Sequence, residues 1–169
     1  MAISQKSCTF AVEMSTHKLY IEIGTNLSTA EQVLLWTKRK LSEAFRGQAN
    51  YSTPVKTDPV NFPSKEKFTN QLVIIETDVP TAFAKPLLKS IERQLGRTEE
   101  DATRGVVRLD LDLLWMDGKL LRPEEWERDY IKQAREELEG EEPKPKPKAK
   151  AKSSKADKAS EADKDSKAE

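Results

Sequence analysis

The chain has 169 residues, 34% of them charged, and its 29 basic residues balance 29 acidic ones to a formal net charge of zero. This balance does not indicate a nucleic acid or a membrane surface as partner. A single cysteine, Cys8, and a single histidine, His17, exclude an intrachain disulfide, a cysteine-rich metal site and a histidine-clustered zinc site. Carboxylates would therefore hold any metal, which favours magnesium, manganese or calcium.

The composition divides the chain into three parts. Residues 1–15 show no sustained period, and we expect an N-terminal arm there. Residues 16–140 carry the periodic segments of one folded domain. Residues 141–169 have almost no apolar side chain larger than alanine, which predicts a disordered tail. The chain lacks an apolar run of about 18 residues and a signal pattern, so we expect a soluble cytoplasmic protein.

The first predicted elements are a strand and a helix. "LYIEIG", which begins at Leu19, alternates as a strand does, and "TNLSTAEQ" interrupts it. Ser28 and Glu31 have the spacing of a capping box and predict the start of a helix. The helix runs to about Phe45, and Gly47 ends it.

Two strands and a second helix follow. "ANYSTPVKT" predicts a broken edge strand, because Pro54 cannot donate a hydrogen bond to a neighbouring strand. "DPVNFPSKEK" predicts a loop, and the apolar, β-branched run Phe68 to Asp78 predicts a central strand. The second helix covers roughly Pro86 to Leu95, with the proline in its first turn and Gly96 at its end.

The last part of the domain reads as loop, strand, turn and helix. "RTEEDATRG" is a polar loop, Arg104 to Gly118 is a strand, and Asp117-Gly118 is a turn. A short "KLL" and a final helix near Pro123 to Leu138 complete the domain. The order strand, helix, strand, strand, helix, strand predicts an α+β fold, the ferredoxin-like αβ plait, with an antiparallel sheet and two helices on one face.

Two aspartates share one face of the strand "RGVVRLDLDLLWMDG". Asp110 and Asp112 have Cα atoms roughly 6.6 to 7 Å apart, while Leu109 and Leu111 point to the opposite face. Carboxylates this close raise each other's pKa unless a cation neutralises them, and a pair of metal ions does so in phosphoryl chemistry. Polar residues that simply face water, with Arg108 paired to Asp110, would produce the same pattern.

Five segments together resemble the hydroxymethyl-dihydropterin pyrophosphokinase family: "YIEIGTNL", "VKTDPV", "FTNQLVIIET", "SIERQLGR" and "GVVRLDLDLLWMDG". They occur in the family's order and spacing, from Lys18 to Arg122. The resemblance implies the αβ plait for residues 16–140. It also implies the activity of a 2-amino-4-hydroxy-6-hydroxymethyldihydropteridine diphosphokinase, which transfers pyrophosphate from ATP to a dihydropterin and releases AMP in folate biosynthesis.

The resemblance also implies roles for individual residues. Asp110 and Asp112 would hold two magnesium ions that bridge the phosphates of ATP, and Asp110 would additionally accept the hydroxyl proton. Glu92 and Arg97 would lie at the nucleotide, and we expect Arg122 to stand in there for a family arginine. The pterin would be bound by the stacking aromatic Phe68, by Asn70, and by the loop residues Thr57, Pro59 and Val60.

These positions have structural interpretations as well. Phe68 could be a core residue, and Asn70 a turn residue. Glu92 could lie on a solvated helix face, and Arg97 could complement the dipole at a helix C-terminus.

The chain departs from the family pattern before the aspartates. Family members carry W-G-P-R where this chain has Arg104, Gly105, Val106 and Val107. Val107 therefore occupies the position of the family arginine that contacts the transferred phosphate. Arg104 or Arg108 could supply the charge, although a shift of one residue on a strand reverses the face.

A second departure lies near the C-terminal end of the domain. Pro123 is kept, but Glu124 stands where the family has a histidine. Arg122, Arg128 and Tyr130 are the candidates to replace the family's missing arginines and its late aromatic residue.

The expected partners are ATP and the hydroxymethyl-dihydropterin, with no nucleic acid and no membrane, in a monomer or weak dimer. One alternative is a non-catalytic pterin- or nucleotide-binding relative that kept Phe68 and Asn70. Another is a plait used for protein or RNA contact, with the lysine-rich tail as an arm. That role requires exposed aromatics on the sheet, and only Phe68 is well placed.

Overall fold

The computed structural model describes residues 16–59, 64, 66–96 and 99–140. The predicted N-terminal arm, the predicted tail, Val60 and Arg97 lie outside these residues. Within them the elements are β1 (His17–Thr25), α1 (Ala30–Phe45), β2 (Gln48–Tyr51), β3 (Val55–Thr57), β4 (Phe68–Thr77), α2 (Thr81–Leu95), α3 (Glu99–Thr103), β5 (Asp110–Met116), β6 (Lys119–Leu120), α4 (Pro123–Trp126) and α5 (Asp129–Glu139).

The strands form one antiparallel sheet in the order β2-β4-β1-β5-β6, and β3 also pairs with β4. This order confirms the predicted α+β fold and the ferredoxin-like plait. The interior position of β4 and the broken edge strand are confirmed too, since Pro54 lies in the gap between β2 and β3.

The two faces of the sheet are covered by different helices. On one face Leu19, Ile21 and Ile23 of β1 belong to the main core, which includes the buried residues of α1 and α2. On the other face Tyr20 packs with Trp126 of α4 and residues of α5 in a second buried cluster. The prediction placed helices on one face, and the structure adds α4 and α5 on the other.

The predicted capping box was wrong. The N-cap of α1 is Thr29, whose side chain makes no capping hydrogen bond. The loop before the helix is instead held by Asn26, whose amide donates to the carbonyl of Gly105 and accepts from the backbone of Val107. These contacts are distant in sequence, so a local capping pattern could not reveal them. The predicted end of α1 at Phe45 is confirmed.

The second helix begins at Thr81 rather than at Pro86. A proline inside a helix leaves the carbonyl four residues earlier without its donor. Both Pro86 and Ala82 are exposed, so that carbonyl lies on the side of the helix that faces water. Ala84, 1% exposed, packs in the main core and holds the early turn against the sheet.

Two predicted segments near the C-terminal end also differ. The predicted polar loop contains α3, and β5 begins at Asp110 instead of Arg104. The predicted final helix is divided into α4 and α5, with Arg128 in an extended conformation between them. Trp126 and Ile131 both reach the second buried cluster, although a continuous helix would separate their directions by roughly 140°.

Among the described residues, every helix is too short or too polar to span a lipid bilayer.

Gly47→Ala is expected to destabilise the fold by steric overlap where α1 leads into β2. A β-carbon at Gly47 would lie 1.9 Å from the carbonyl oxygen of Glu76, on the neighbouring strand β4. Because a backbone carbonyl cannot move aside independently, we expect the unfolding free energy measured in urea to fall by about 1–3 kcal/mol or more.

The matched control is Gly140→Ala at the C-cap of α5. Gly140 has φ +71, and a β-carbon there would have no neighbouring atom within 4 Å among the described residues beyond its own helix. Its substitution tests conformational strain alone, about 1 kcal/mol. Equal losses for the two variants would contradict the steric explanation.

Candidate active site

Two cavities meet at Asp110. The acidic cavity has a volume of about 270 Å³ and lies between β1, β4 and β5 and the junction of α4 with α5; Glu22, Asp110 and Asp112 are among its lining residues. The basic cavity, of about 520 Å³, is lined by Lys89, Arg93 and Arg108 among others. Asp110 and Val107 line both cavities.

The strand register builds the base of the acidic cavity. Gly24 of β1 lies between Asn70 of β4 and Asp110 of β5, and Glu22 pairs with Asp112. A β-carbon at Gly24 would be 3.1 Å from Oδ1 of Asn70. The absence of a side chain at this position therefore leaves room between Asn70 and Asp110.

Four of the predicted pterin-binding residues, Thr57, Pro59, Phe68 and Asn70, line the acidic cavity. Nδ2 of Asn70 donates to Oγ1 of Thr57 at 2.8 Å. This bond orients the amide so that its Oδ1 lies on the side of Gly24. The structure thus brings these residues together, and their contact with a pterin stays a prediction.

The two aspartates differ in exposure and in partners. The side chain of Asp110 is 53% exposed, and Nζ of Lys89 lies 3.8 Å from its Oδ1. The side chain of Asp112 is 20% exposed, and Oδ1 accepts from Nη2 of Arg122 at 2.8 Å. Burial raises the pKa of Asp112, and the charge of Asp110 raises it further, while Arg122 and Lys89 lower it.

The predicted nucleotide residues divide between the two cavities. Glu92 lines the basic cavity, where its Oε1 accepts from the backbone N–H of Leu111 at 2.8 Å and from Nζ of Lys89 at 2.7 Å. Glu92 therefore also joins α2 to β5. Arg122 reaches the acidic cavity through Asp112.

The two arginines proposed to replace the missing cation have carboxylate partners. Nε of Arg108 donates to Oδ2 of Asp101 at 2.6 Å, and this bond raises the pKa of Arg108. Arg108 pairs with Asp101 rather than with Asp110, and it lines the basic cavity. Arg104 contacts Glu100 at 3.3 Å on the exposed side of α3.

Glu22 lies in the acidic cavity, although it is not among the residues predicted from the sequence. Its side chain is 5% exposed, and Oε1 accepts from the phenol of Tyr130 at 2.5 Å. The buried Oε2 has no hydrogen-bond partner among the described residues. Nη1 of Arg128 donates to the same phenol oxygen at 2.9 Å. The sequence does contain a signal for it: an acidic residue inside the strand "YIEIG". Glu22 lies two residues after Tyr20 and so shares its face of the strand, opposite the core-facing isoleucines.

The pKa of Glu22 is raised. Burial is the main cause, and the charges of Asp112 and Asp110 add to it, whereas the hydrogen bond from Tyr130 and the charge of Arg128 lower it. The acidic cavity thus contains two carboxylates whose ionisation the folded chain disfavours, Glu22 and Asp112.

The donor set of the acidic cavity fits a hard divalent cation. Asp110 and Asp112 offer carboxylate oxygens to one cavity, and a cation there would relieve the repulsion that raises the pKa of Asp112. Among the described residues, no three histidine, cysteine or acidic side chains converge as a metal-binding group. Magnesium suits such a site, because it is usually held by one or two carboxylates together with phosphate oxygens and water.

The family model described as 7,8-dihydro-6-hydroxymethylpterin-pyrophosphokinase (HPPK) matches residues 20–140. Two relatives from Arabidopsis thaliana are also similar. A mitochondrial folate synthesis bifunctional protein is 28% identical over 137 residues, which are 76% of this chain and 24% of that protein. A second folate synthesis bifunctional protein is 26% identical over 133 residues, 74% of this chain and 28% of that protein. The chain spans about a quarter of the length of these relatives.

Glu22→Gln is expected to make the unfolding free energy less dependent on pH. Because the pKa of Glu22 is raised in the folded state, the folded protein holds this proton where the unfolded chain has lost it. The resulting stability is present at acidic pH and is lost as the pH rises from the ordinary glutamate pKa through the raised one. Urea unfolding from about pH 4 to about pH 8 should show a smaller loss in the variant.

Glu76→Gln, which removes an exposed carboxylate from β4, controls for the change in net charge. If the wild type and Glu22→Gln lost stability in parallel, the raised pKa of Glu22 would be contradicted.

Proposed function

The chain belongs to the 7,8-dihydro-6-hydroxymethylpterin-pyrophosphokinase family, as its five segments predicted, and on that premise we propose that it transfers pyrophosphate from ATP to the hydroxymethyl group of a dihydropterin. The observation that carries the proposal is the position of Asp110, which lines both cavities. Substrates bound in the two cavities would meet at this carboxylate.

The acidic cavity suits a flat heterocycle. Phe68 offers an aromatic ring for stacking, and Asn70 and Thr57 offer polar atoms at the ring edge. Gly24 leaves space at the base of the cavity. We assign the pterin to this cavity, where Pro59 is a lining residue, and the contact of Val60 with the pterin stays a prediction.

The basic cavity suits phosphates. Lys89, Arg93 and Arg108 line it, and their charges would stabilise a triphosphate. Glu92 fixes Lys89 by the 2.7 Å hydrogen bond. We assign ATP to the basic cavity, with its phosphates reaching Arg122 beside Asp112, and the contact of Arg97 with the nucleotide stays a prediction.

Asp110 and Asp112 would hold magnesium, of which two ions are expected. When bound, magnesium would neutralise charge on the phosphates of ATP. Arg122 bonds only Oδ1 of Asp112, so the second carboxylate oxygen could bind the cation while the remaining N–H donors of Arg122 contact phosphate. Asp110, the more exposed of the two carboxylates, would accept the proton of the pterin hydroxyl.

The reaction exchanges one oxygen–phosphorus bond for another. The hydroxymethyl oxygen of the pterin attacks the β-phosphorus of ATP in line, and the bond from this phosphorus to the oxygen bridging to the α-phosphate breaks. AMP leaves, and the pyrophosphate stays on the pterin. Positioning and charge neutralisation suffice for such a step, so it needs no covalent nucleophile.

We place this activity in folate biosynthesis, in the cytoplasm and in a monomer or weak dimer. Support for the pathway comes from the two plant relatives, which are named as folate synthesis proteins.

A specific observation favours a second candidate, a non-catalytic pterin- or nucleotide-binding relative. Val107 occupies the junction of the cavities, where the family has an arginine, and Arg104 and Arg108 are paired with Glu100 and Asp101. Calorimetric titration with the pterin, with and without magnesium and a non-hydrolysable ATP analogue, separates the candidates. An enzyme should bind the two ligands with coupled affinities, whereas a pterin-binding relative should not.

The decisive assay is AMP release from ATP in the presence of the reduced hydroxymethyl-pterin and magnesium. We expect activity that a chelator removes and added magnesium restores. AMP release without the pterin, or unaffected by the chelator, would contradict the proposed reaction.

Asp110→Ala and Asp112→Ala should each lower turnover by at least about 10²-fold, because each removes a carboxylate that neutralises and positions the phosphates. Little stability should be lost. Asp110 is half exposed, and burial together with the charge of Asp110 disfavours the ionised form of Asp112. Turnover is measured as AMP release, and folding by urea titration.

Asp78→Ala, which removes an exposed aspartate just after β4, is the matched control. A fully active Asp112→Ala variant would contradict the assignment of the two aspartates.

A further inference from the structure

The acidic cavity has one cation among its described lining residues, Arg128. The nearby arginines Arg104, Arg108 and Arg122 each lie within ion-pair distance of a carboxylate. Arg128 has no carboxylate within that distance in the described part of the chain, and its hydrogen bond goes to the phenol of Tyr130. Its guanidinium is therefore the one best placed to receive an anion in this cavity.

The surroundings of Glu22 are unfavourable for a carboxylate. It is almost fully buried, its Oε2 has no hydrogen-bond partner in the described part of the chain, and Asp110 and Asp112 repel its charge. A buried polar atom left without a partner is unfavourable by about 1–3 kcal/mol. A small neutral residue on this strand would avoid that penalty. Buried ionisable groups of this kind concentrate at functional sites.

The phenol of Tyr130 links Glu22 to Arg128. Its O–H donates to Oε1 of Glu22 at 2.5 Å, and its oxygen accepts from Nη1 of Arg128 at 2.9 Å. The carboxylate thus sets the direction of the phenol proton, and that direction leaves a lone pair for the guanidinium. All three side chains line the acidic cavity.

We propose that Glu22 is a positioning residue, which holds the Arg128 guanidinium through Tyr130 in the place where it contacts the transferred pyrophosphoryl group. Arg128 thereby supplies the positive charge that is absent at Val107. The inference rests on the proposed function, because it names the cation that meets the phosphates. It adds a residue, Glu22, that the family pattern does not assign.

A purely structural role for the same three residues is the competing explanation. The network joins β1 to the start of α5, so its loss could simply lower stability. That role predicts a lower unfolding free energy but unchanged turnover and phosphate affinity in the folded fraction.

The first experiment is a double-mutant cycle on turnover. Glu22→Ala, Tyr130→Phe and Arg128→Met should each lower kcat, corrected for folded protein, by about 10- to 100-fold. The kcat of the Glu22→Ala/Tyr130→Phe double variant should be no lower than that of the less active single variant, because the two residues act as one unit. Glu22→Gln should retain most of the activity, since its Oε1 can accept the same hydrogen bond.

Tyr51→Phe is the matched control for loss of a phenol. Tyr51 lies on β2, and its hydroxyl contacts the carbonyl of Lys38 away from both cavities. Wild-type turnover in Glu22→Ala and Tyr130→Phe, or fully additive losses in the double variant, would overturn the inference and leave the proposed function intact.

The second experiment does not depend on turnover. Calorimetric titration with magnesium and inorganic pyrophosphate should show affinity about tenfold or more weaker in Glu22→Ala and Arg128→Met than in the wild type. This loss in a protein that releases no AMP would overturn the proposed function and the transfer role of Arg128, and would leave only the link between Glu22 and pyrophosphate binding by Arg128. A wild type that neither binds pyrophosphate nor releases AMP would overturn both.

Discussion

The pairing of β1 with β4 on one side and β5 on the other is the constraint on which the rest of the site depends. It places Asn70, Gly24 and Asp110 side by side across three strands. Because side chains alternate along a strand, a slip of one residue would turn Asp110 into the core and Leu111 into the cavity. The apolar residues that face α1 and α2 exclude such a slip, so the packing of the core also positions the site.

The acidic cavity brings together carboxylates that neighbouring cations neutralise only in part. Asp112 and Glu22 both have raised pKa values, chiefly through burial and then through neighbouring carboxylates. Proteins keep such unfavourable groups mainly where a ligand or a reaction uses them. A cation or a positively charged side chain near these carboxylates would reduce the repulsion between them.

The arginines near the two aspartates differ in the partners that they contact. Val107 occupies the junction of the two cavities, and the arginines on either side of it turn away to Glu100 and Asp101. Charge approaches the aspartates from other elements instead: Lys89 from α2, Arg122 from the start of α4, and Arg128 from the start of α5. Under the proposed function, the cations that contact the phosphates would thus come from three different elements of the chain.

The sequence by itself determined the order of the main elements, the antiparallel plait and the shared face of Asp110 and Asp112, because period and strand alternation are local properties. Tertiary structure alone decided the partners of the charged residues. Arg108 pairs with Asp101, and Glu22 meets Tyr130 across more than a hundred residues of chain. It also decided the early start of α2 and the division of the last helix. Packing against the sheet outweighs local propensity at these places, and no single stretch of sequence contains both members of such contacts.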